Sequence, residues 1–317
     1  MKHITKSICG LLLALMMVIS MLPADAVNAS AAGAAIQTTY ATGDIITFGS
    51  NPQTKVTDSG LIVSLSAQTL GADNTVTYDG SRYKRVCFTQ YTNEWGDLTT
   101  DPSETEQDNN GYYISTVYWF KYEPIQWRVL SCDNDAIFIL SEKILKSRPY
   151  HDVCTYITWK YCELRTWLNG TFYNEAFSPA EQMRIKTTDL GNSDGVNTID
   201  RVFPISDGAI INPDYGFSSS YGTFDSNRIA KGTAYAVCNG LRVNGEGCAN
   251  WWLRTLGSNY GAGVIGYIDL VTNDGDVWTI GDFSDRSNGI RPALKLLLTS
   301  DIFPSKANSE YNFKIVD

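Results

Sequence analysis

Asp274 and Gly275 sit between two apolar, β-branched or aromatic segments, VIGYIDL at 264–270 and DVWTI at 276–280. An Asp-Gly pair enters a tight hairpin turn at little conformational cost, and alternating flanks give each strand a face to bury. The C-terminal third is therefore committed to antiparallel sheet. Two further strand-like runs bracket the hairpin, NWWLRTLG at 250–257 and GIRPALKLLL at 289–298. Pro292 has no N–H to give to a ladder, so its strand is expected at an edge or with a bulge.

The rest of the chain reads as sheet with two helices. GDIITFG (43–49) and SRYKRVCF (81–88) are strand-like. YWFKYEPIQWRVL (118–130), a turn at 133–135 and AIFIL (136–140) form a hairpin of buried strands. Thr158 is placed to cap a helix carrying Trp159, Cys162, Leu164, Trp167 and Leu168 on one face and ending at Asn169-Gly170. Ser178-Pro179-Ala180-Glu181 starts a second helix with a capping box. The acid-rich stretch 97–111 reads as a solvated loop. Residues 189–250 read as long loops with a strand at RVFPIS (201–206) and a short helical piece. These features give an α+β fold class.

Compartment follows from the N-terminus. Lys2 and Lys6 precede an apolar run over 8–22, and Ala24 and Ala26 supply a small-x-small cleavage site, the layout of a secretory signal peptide. The expected organisation is a signal over 1–26, a leader over 27–39, one elaborated domain over 40–300 and a tail over 301–317. The run is too short to span a bilayer and no second long apolar segment follows, so no membrane span is expected and the mature chain should be extracellular or on the cell surface. A net charge of −9 argues against nucleic acid as partner.

Six cysteines remain beyond Cys9: Cys87, Cys132, Cys154, Cys162, Cys238 and Cys248. An even set in an exported chain suggests disulfides, with locality favouring Cys154–Cys162 and Cys238–Cys248 and leaving Cys87 with Cys132. Inert free thiols are the alternative. No C-x-x-C occurs and His151 is the one histidine beyond the signal, so no metal site and no cofactor are expected. His151 and Cys154, three apart, invite a base-and-nucleophile reading, but a structural histidine beside Asp152 and a structural thiol is preferred.

GDIITFG, YWFKYEPIQWRVL, LRTWLN (164–169), WWLRT and GIRPAL occur in the order seen in an uncharacterised family of exported bacterial domains, which this chain resembles. That family is similar to the C-type-lectin-like fold that also carries formylglycine-generating enzymes. The resemblance implies a twisted, mainly antiparallel sheet with two helices and long loops displayed from one end. The paired redox cysteines and G-G-S-W run of those enzymes are not recognisable, and the E-P-N and W-N-D calcium motifs of sugar-binding lectins are absent. Neither oxidase activity nor calcium-dependent binding is carried over.

Trp127, Trp167, Leu168, Trp251 and Leu253 are expected in the core, and Arg254 and Arg291 paired with carboxylates or carbonyls. Trp252 and Trp278 face the core in one reading and stack on sugar in another. Candidate ligand-binding residues lie in the loops between the last strands: Asn259, Tyr260, Phe283, Asp285 and Arg286, which combine aromatic area with orienting polar groups. They suggest a non-catalytic recognition module for an extracellular glycan or protein. The alternative is a secreted carbohydrate hydrolase using two carboxylates. A cleft with two facing acids, one of raised pKa, would favour the enzyme. An open, polar hollow lined by the tryptophan-bearing strands, with converging reactive groups, would overturn the recognition reading and put catalysis in its place.

Overall fold

The computed structural model describes residues 40–88, 111–113, 116–193, 195–258 and 266–298. The signal, leader and tail readings, and nearly all of the acidic stretch, lie outside these residues. The architecture is α+β, with mostly antiparallel sheet and few helices.

The first sheet holds β1 (Ile45–Lys55), β2 (Thr75–Tyr78), β3 (Ser81–Cys87), β4 (Val117–Cys132) and β5 (Ala136–Ser141), with β7 (Ile185–Lys186), β10 (Val202–Phe203) and β15 (Ala293–Leu297). The expected hairpin is β4–β5. Asp133 Oδ1 closes its turn by accepting from the N–H groups of Asp135 (2.8 Å) and Ala136 (2.7 Å), which sets the register Cys132↔Ile137. All six residues of β5 are buried, as an unbroken apolar run covered on both faces should be.

The second sheet runs β13 (Val277–Phe283), β12 (Tyr267–Val271), β11 (Trp251–Leu256), β14 (Ser287–Ile290) and β6 (Lys146–Pro149). Among the described strands of this sheet only β11 and β14 pair in parallel. A short hairpin, β8 (Thr188–Leu190) with β9 (Thr198–Asp200), stands apart.

The stretch expected to be one strand around Pro292 is two. Ile290 ends a strand of the second sheet and Ala293 begins one of the first, so Pro292 lies at the crossover. The missing N–H costs nothing there, and Pro292 C=O accepts from Ser141 N at 2.8 Å. β15 sits inside its sheet, between β10 and β5, and not at an edge.

The helices are α1 (Ser59–Ser66), α2 (Glu163–Trp167), α3 (Tyr173–Ala176), α4 (Pro179–Gln182), α5 (Asp207–Ile210) and α6 (Ala234–Cys238). The capping box at Ser178 forms: Ser178 N donates to Glu181 Oε2 at 2.8 Å, and Glu181 N to Ser178 Oγ at 3.4 Å. Two readings of the helix before it are corrected. Thr158 makes no side-chain cap, and Asn169-Gly170 does not end the helix, because a π turn over Leu168–Phe172 carries the backbone on into α3. The reason lies in tertiary bonding. Asn169 is spent on β10, accepting from Val202 N at 3.2 Å and donating to Val202 O at 2.9 Å, so its amide is unavailable as a stop.

Trp127, Trp251, Trp252 and Leu253 lose all their surface to one large core together with Ile46, Ile139 and Leu294. The cysteines do not pair. All six are free thiols, with Cys162, Cys238 and Cys248 buried. Cys162 Sγ lies 3.4 Å from Trp159 O, so this thiol is a packed core group and its expected disulfide with the exposed Cys154 is absent.

Candidate functional site

Arg254 and Thr255 follow the buried Trp-Trp-Leu of β11 and reach the end of the sheet where two other segments arrive. Arg254 N donates to Ile205 O at 3.1 Å, which brings Ser206 and Asp207 alongside. Ser206 caps α5 by accepting from Ala209 N at 3.2 Å. Arg254 also recruits the turn at 191–192, with Nε 3.2 Å from Asn192 Oδ1 and Nη2 3.0 Å from Gly191 O. The result is an open hollow of about 200 Å³ lined by Gly191, Asn192, Ser193, Ser206, Asp207, Arg254 and Thr255.

The walls are tightly bonded. Asp207 Oδ1 accepts from Thr255 Oγ1 at 2.9 Å and from Gly208 N at 2.7 Å, and its Oδ2 accepts from Tyr221 Oη at 3.2 Å. Tyr221 belongs to a covering segment whose carbonyl at 221 accepts from Val277 N at 3.4 Å. Tyr221 leaves 37% of its surface in solvent and Trp278, on β13 across from Leu270, leaves 42%, whereas Trp251 and Trp252 leave none.

Behind Asp207 stands Asp269 on β12, 2% exposed and with no hydrogen-bond partner for Oδ1. Burial first, and the charge of Asp207 second, push its carboxyl up to about 8. Among the residues lining the hollow, Asp207 is the one acid. Among the described residues no group of three or more His, Cys, Asp or Glu could hold a metal.

The residues singled out from sequence fare unequally. Asn259 and Tyr260 lie outside the described residues. Phe283 and Arg286 are partners of each other: the Arg286 guanidinium lies 4.5 Å over the Phe283 ring, that ring stands 4.7 Å from Tyr267, and Arg286 Nη1 pairs with Asp282 at 2.9 Å. Asp285 is exposed and faces Cys154, whose thiol is pushed up by burial and then by that acid. His151 lies against Glu163, a different partner, so His151 and Cys154 make no dyad and the thiol is poorly suited to ionise.

Trp252 is core, its Nε1 3.2 Å from Arg148 O, while Trp278 is the exposed one. Arg291 is structural, with Nε 2.7 Å from Ser141 O and Nη2 3.7 Å from Glu142. The tryptophan-bearing β11 does more than scaffold, since its last turns of chain form a wall of the hollow. Sequence reasoning missed Asp207, Asn192 and Asp269. A signal existed for Asp269, a lone carboxylate inside the apolar run YIDL.

A domain of unknown function, DUF6273, matches residues 134–298. The chain belongs to this family. No curated protein and no solved structure matches it. The DUF6273 segment contains β5 through β15 and therefore every residue of the hollow, whereas β1 to β4 precede it. Among the described residues no helix is long and apolar enough to cross a membrane.

Proposed function

We propose that this protein is an exported recognition module of C-type-lectin-like architecture that takes a neutral saccharide at the hollow beneath Asp207 and Arg254. Export rests on Lys2, Lys6, the apolar run over 8–22 and Ala24-x-Ala26. The observation that carries the reading is the bonding state of the hollow's two charged walls. Asp207 already accepts three hydrogen bonds, and Arg254 already donates to Gly191 O, Asn192 Oδ1 and Pro204 O. Groups so engaged present fixed dipoles to hydroxyls but have little capacity left for attack or proton transfer. Tyr221, bonded to Asp207 and partly exposed, supplies an aromatic face beside the hollow, the kind of surface on which the C–H face of a sugar ring packs.

A glycan array with the mature protein is expected to give a defined set of ligands. Tyr221→Ala should weaken binding about tenfold, equivalent to ~1.4 kcal/mol. Phe283→Ala should leave binding unchanged, because that ring is occupied by Arg286 and Tyr267. The reverse pattern returns the site to the 282–286 loop.

Hydrolysis is the second reading, favoured by the unequal environments of Asp269 and Asp207, the arrangement from which an acid and a base are drawn. It requires the segment bearing Tyr221 to lift, because Asp269 is sealed from the hollow's contents. Release of reporter from aryl glycosides that is lost in both Asp269→Asn and Asp207→Asn, with binding kept, would establish it. No release with any glycoside the array selects leaves binding as the activity.

A further inference from the structure

Lys146 opens β6, the edge strand of the second sheet, and its amine points at the residue that ends α6. Lys146 Nζ hydrogen-bonds the side-chain carbonyl oxygen of Asn239, lies 3.3 Å from Tyr235 Oη and sits 4.8 Å from the centre of that ring. Among the described residues no carboxylate pairs with it. Glu175, the acid whose charge reaches it, is itself 3.7 Å from Lys84. Burial first, then the positive charges of Lys84 and Arg148, lower this amine to about 8. A nitrogen held there spends part of its time near neutrality with its lone pair free, the state in which lysine is a nucleophile.

The other partner is equally fixed. Asn239 Nδ2 donates to Tyr235 O at 2.6 Å, which prevents the carboxamide from flipping and keeps its carbonyl toward Lys146. In an Asn-Gly pair the usual internal attacker on the side-chain amide is the following backbone nitrogen. Here Gly240 N donates to Val237 O at 3.0 Å and is directed elsewhere.

We propose that Lys146 and Asn239 are joined by an intramolecular amide bond. Nζ attacks Asn239 Cγ, the carbonyl π pair moves to Oδ1, and collapse of the tetrahedral carbon breaks the Cγ–Nδ2 bond. The proton lost by Nζ leaves with Nδ2 as ammonia, and Tyr235 Oη lies 3.3 Å from Nζ, within reach to accept it. Burial holds that phenol in its protonated form. The sum is amine plus carboxamide giving secondary amide plus ammonia, with no change of oxidation state and no co-reactant. The bond ties two positions 93 residues apart and pins an edge strand to a helix end. It gives a chain whose six described cysteines are unpaired a covalent link of another kind.

Peptide mapping of the denatured full-length product by mass spectrometry decides the matter. The expected result is a branched peptide joining the segments around Lys146 and Asn239, lighter than their sum by one ammonia, and absent from Lys146→Arg and Asn239→Ala. Separate linear peptides with a free Lys146 amine and an intact Asn239 would overturn the proposal. So would an ammonia loss confined to a linear peptide across Asn239–Gly240, which is the mark of a succinimide. The readout does not depend on either variant folding, and it is independent of what the hollow binds.

Discussion

Arg228→Met is expected to destabilise the protein by roughly 3–5 kcal/mol and to abolish the saccharide binding proposed above, the combined cost of opening a buried charge pair and stranding its partners. Arg228 is 0% exposed, yet its guanidinium serves one short stretch of chain: Nε to Ile210 O (3.1 Å), Nη1 to Thr223 O (2.9 Å), and Nη2 to Ser218 O (2.6 Å) and Ser220 O (2.9 Å). Asp225 stands 3.7 Å away and balances its charge. One planar group with five donors thus gathers carbonyls that have no strand partner, and so folds the segment that carries Tyr221 over the sheet. Methionine fills the stem's volume and supplies none of the donors. Arg228→Lys should recover only part of the loss, because an ammonium cannot reproduce the fork.

Urea titration of the two variants against the parent, with glycan binding measured alongside, checks this. A cost below ~1 kcal/mol for the methionine variant would mean that the covering segment is held by something other than Arg228.

The same residue explains why part of the site was illegible in one dimension. Strands were readable because period and turn chemistry are local. Asp274-Gly275 announced β12–β13, and Ser178 to Glu181 announced α4. The hollow is built from side chains 48 to 63 positions apart, Thr255 with Asp207 and Arg254 with Asn192 and Gly191, and no spacing rule connects them.

Where local rules failed, a tertiary bond had taken over. Asn169 docks on β10 instead of stopping its helix, and Pro292 marks a change of sheet. Even cysteine count suggested pairing, but count carries no geometry, and burial of Cys162, Cys238 and Cys248 serves packing. Trp278 and Trp252 illustrate the limit of composition. Two equivalent letters divide between the edge strand β13 and the interior strand β11, and only the edge leaves a ring in water.

Asp269→Asn is expected to raise stability above neutral pH and to flatten its pH dependence. In the unfolded chain an aspartate loses its proton near the ordinary value of 3.8, whereas in the fold this carboxyl keeps it to about 8. Between those values the folded state holds one proton more than the unfolded state, so stability falls as pH rises, by about 1.4 kcal/mol per unit at most. Its contribution is whole below the unfolded value, declines across the window, and is fully lost above about 8, where the buried carboxylate must coexist with Asp207.

Asparagine has nearly the same shape, cannot ionise, and removes that slope. The two proteins should therefore melt alike near pH 4, and the variant should gain steadily toward pH 8 before the gap levels. Thermal unfolding followed across that range provides the test. Parallel curves would mean that Asp269 is ionised in the fold and has found a partner. The hydrolytic reading would then lose its acid, while the binding reading, which asks nothing of Asp269, would stand.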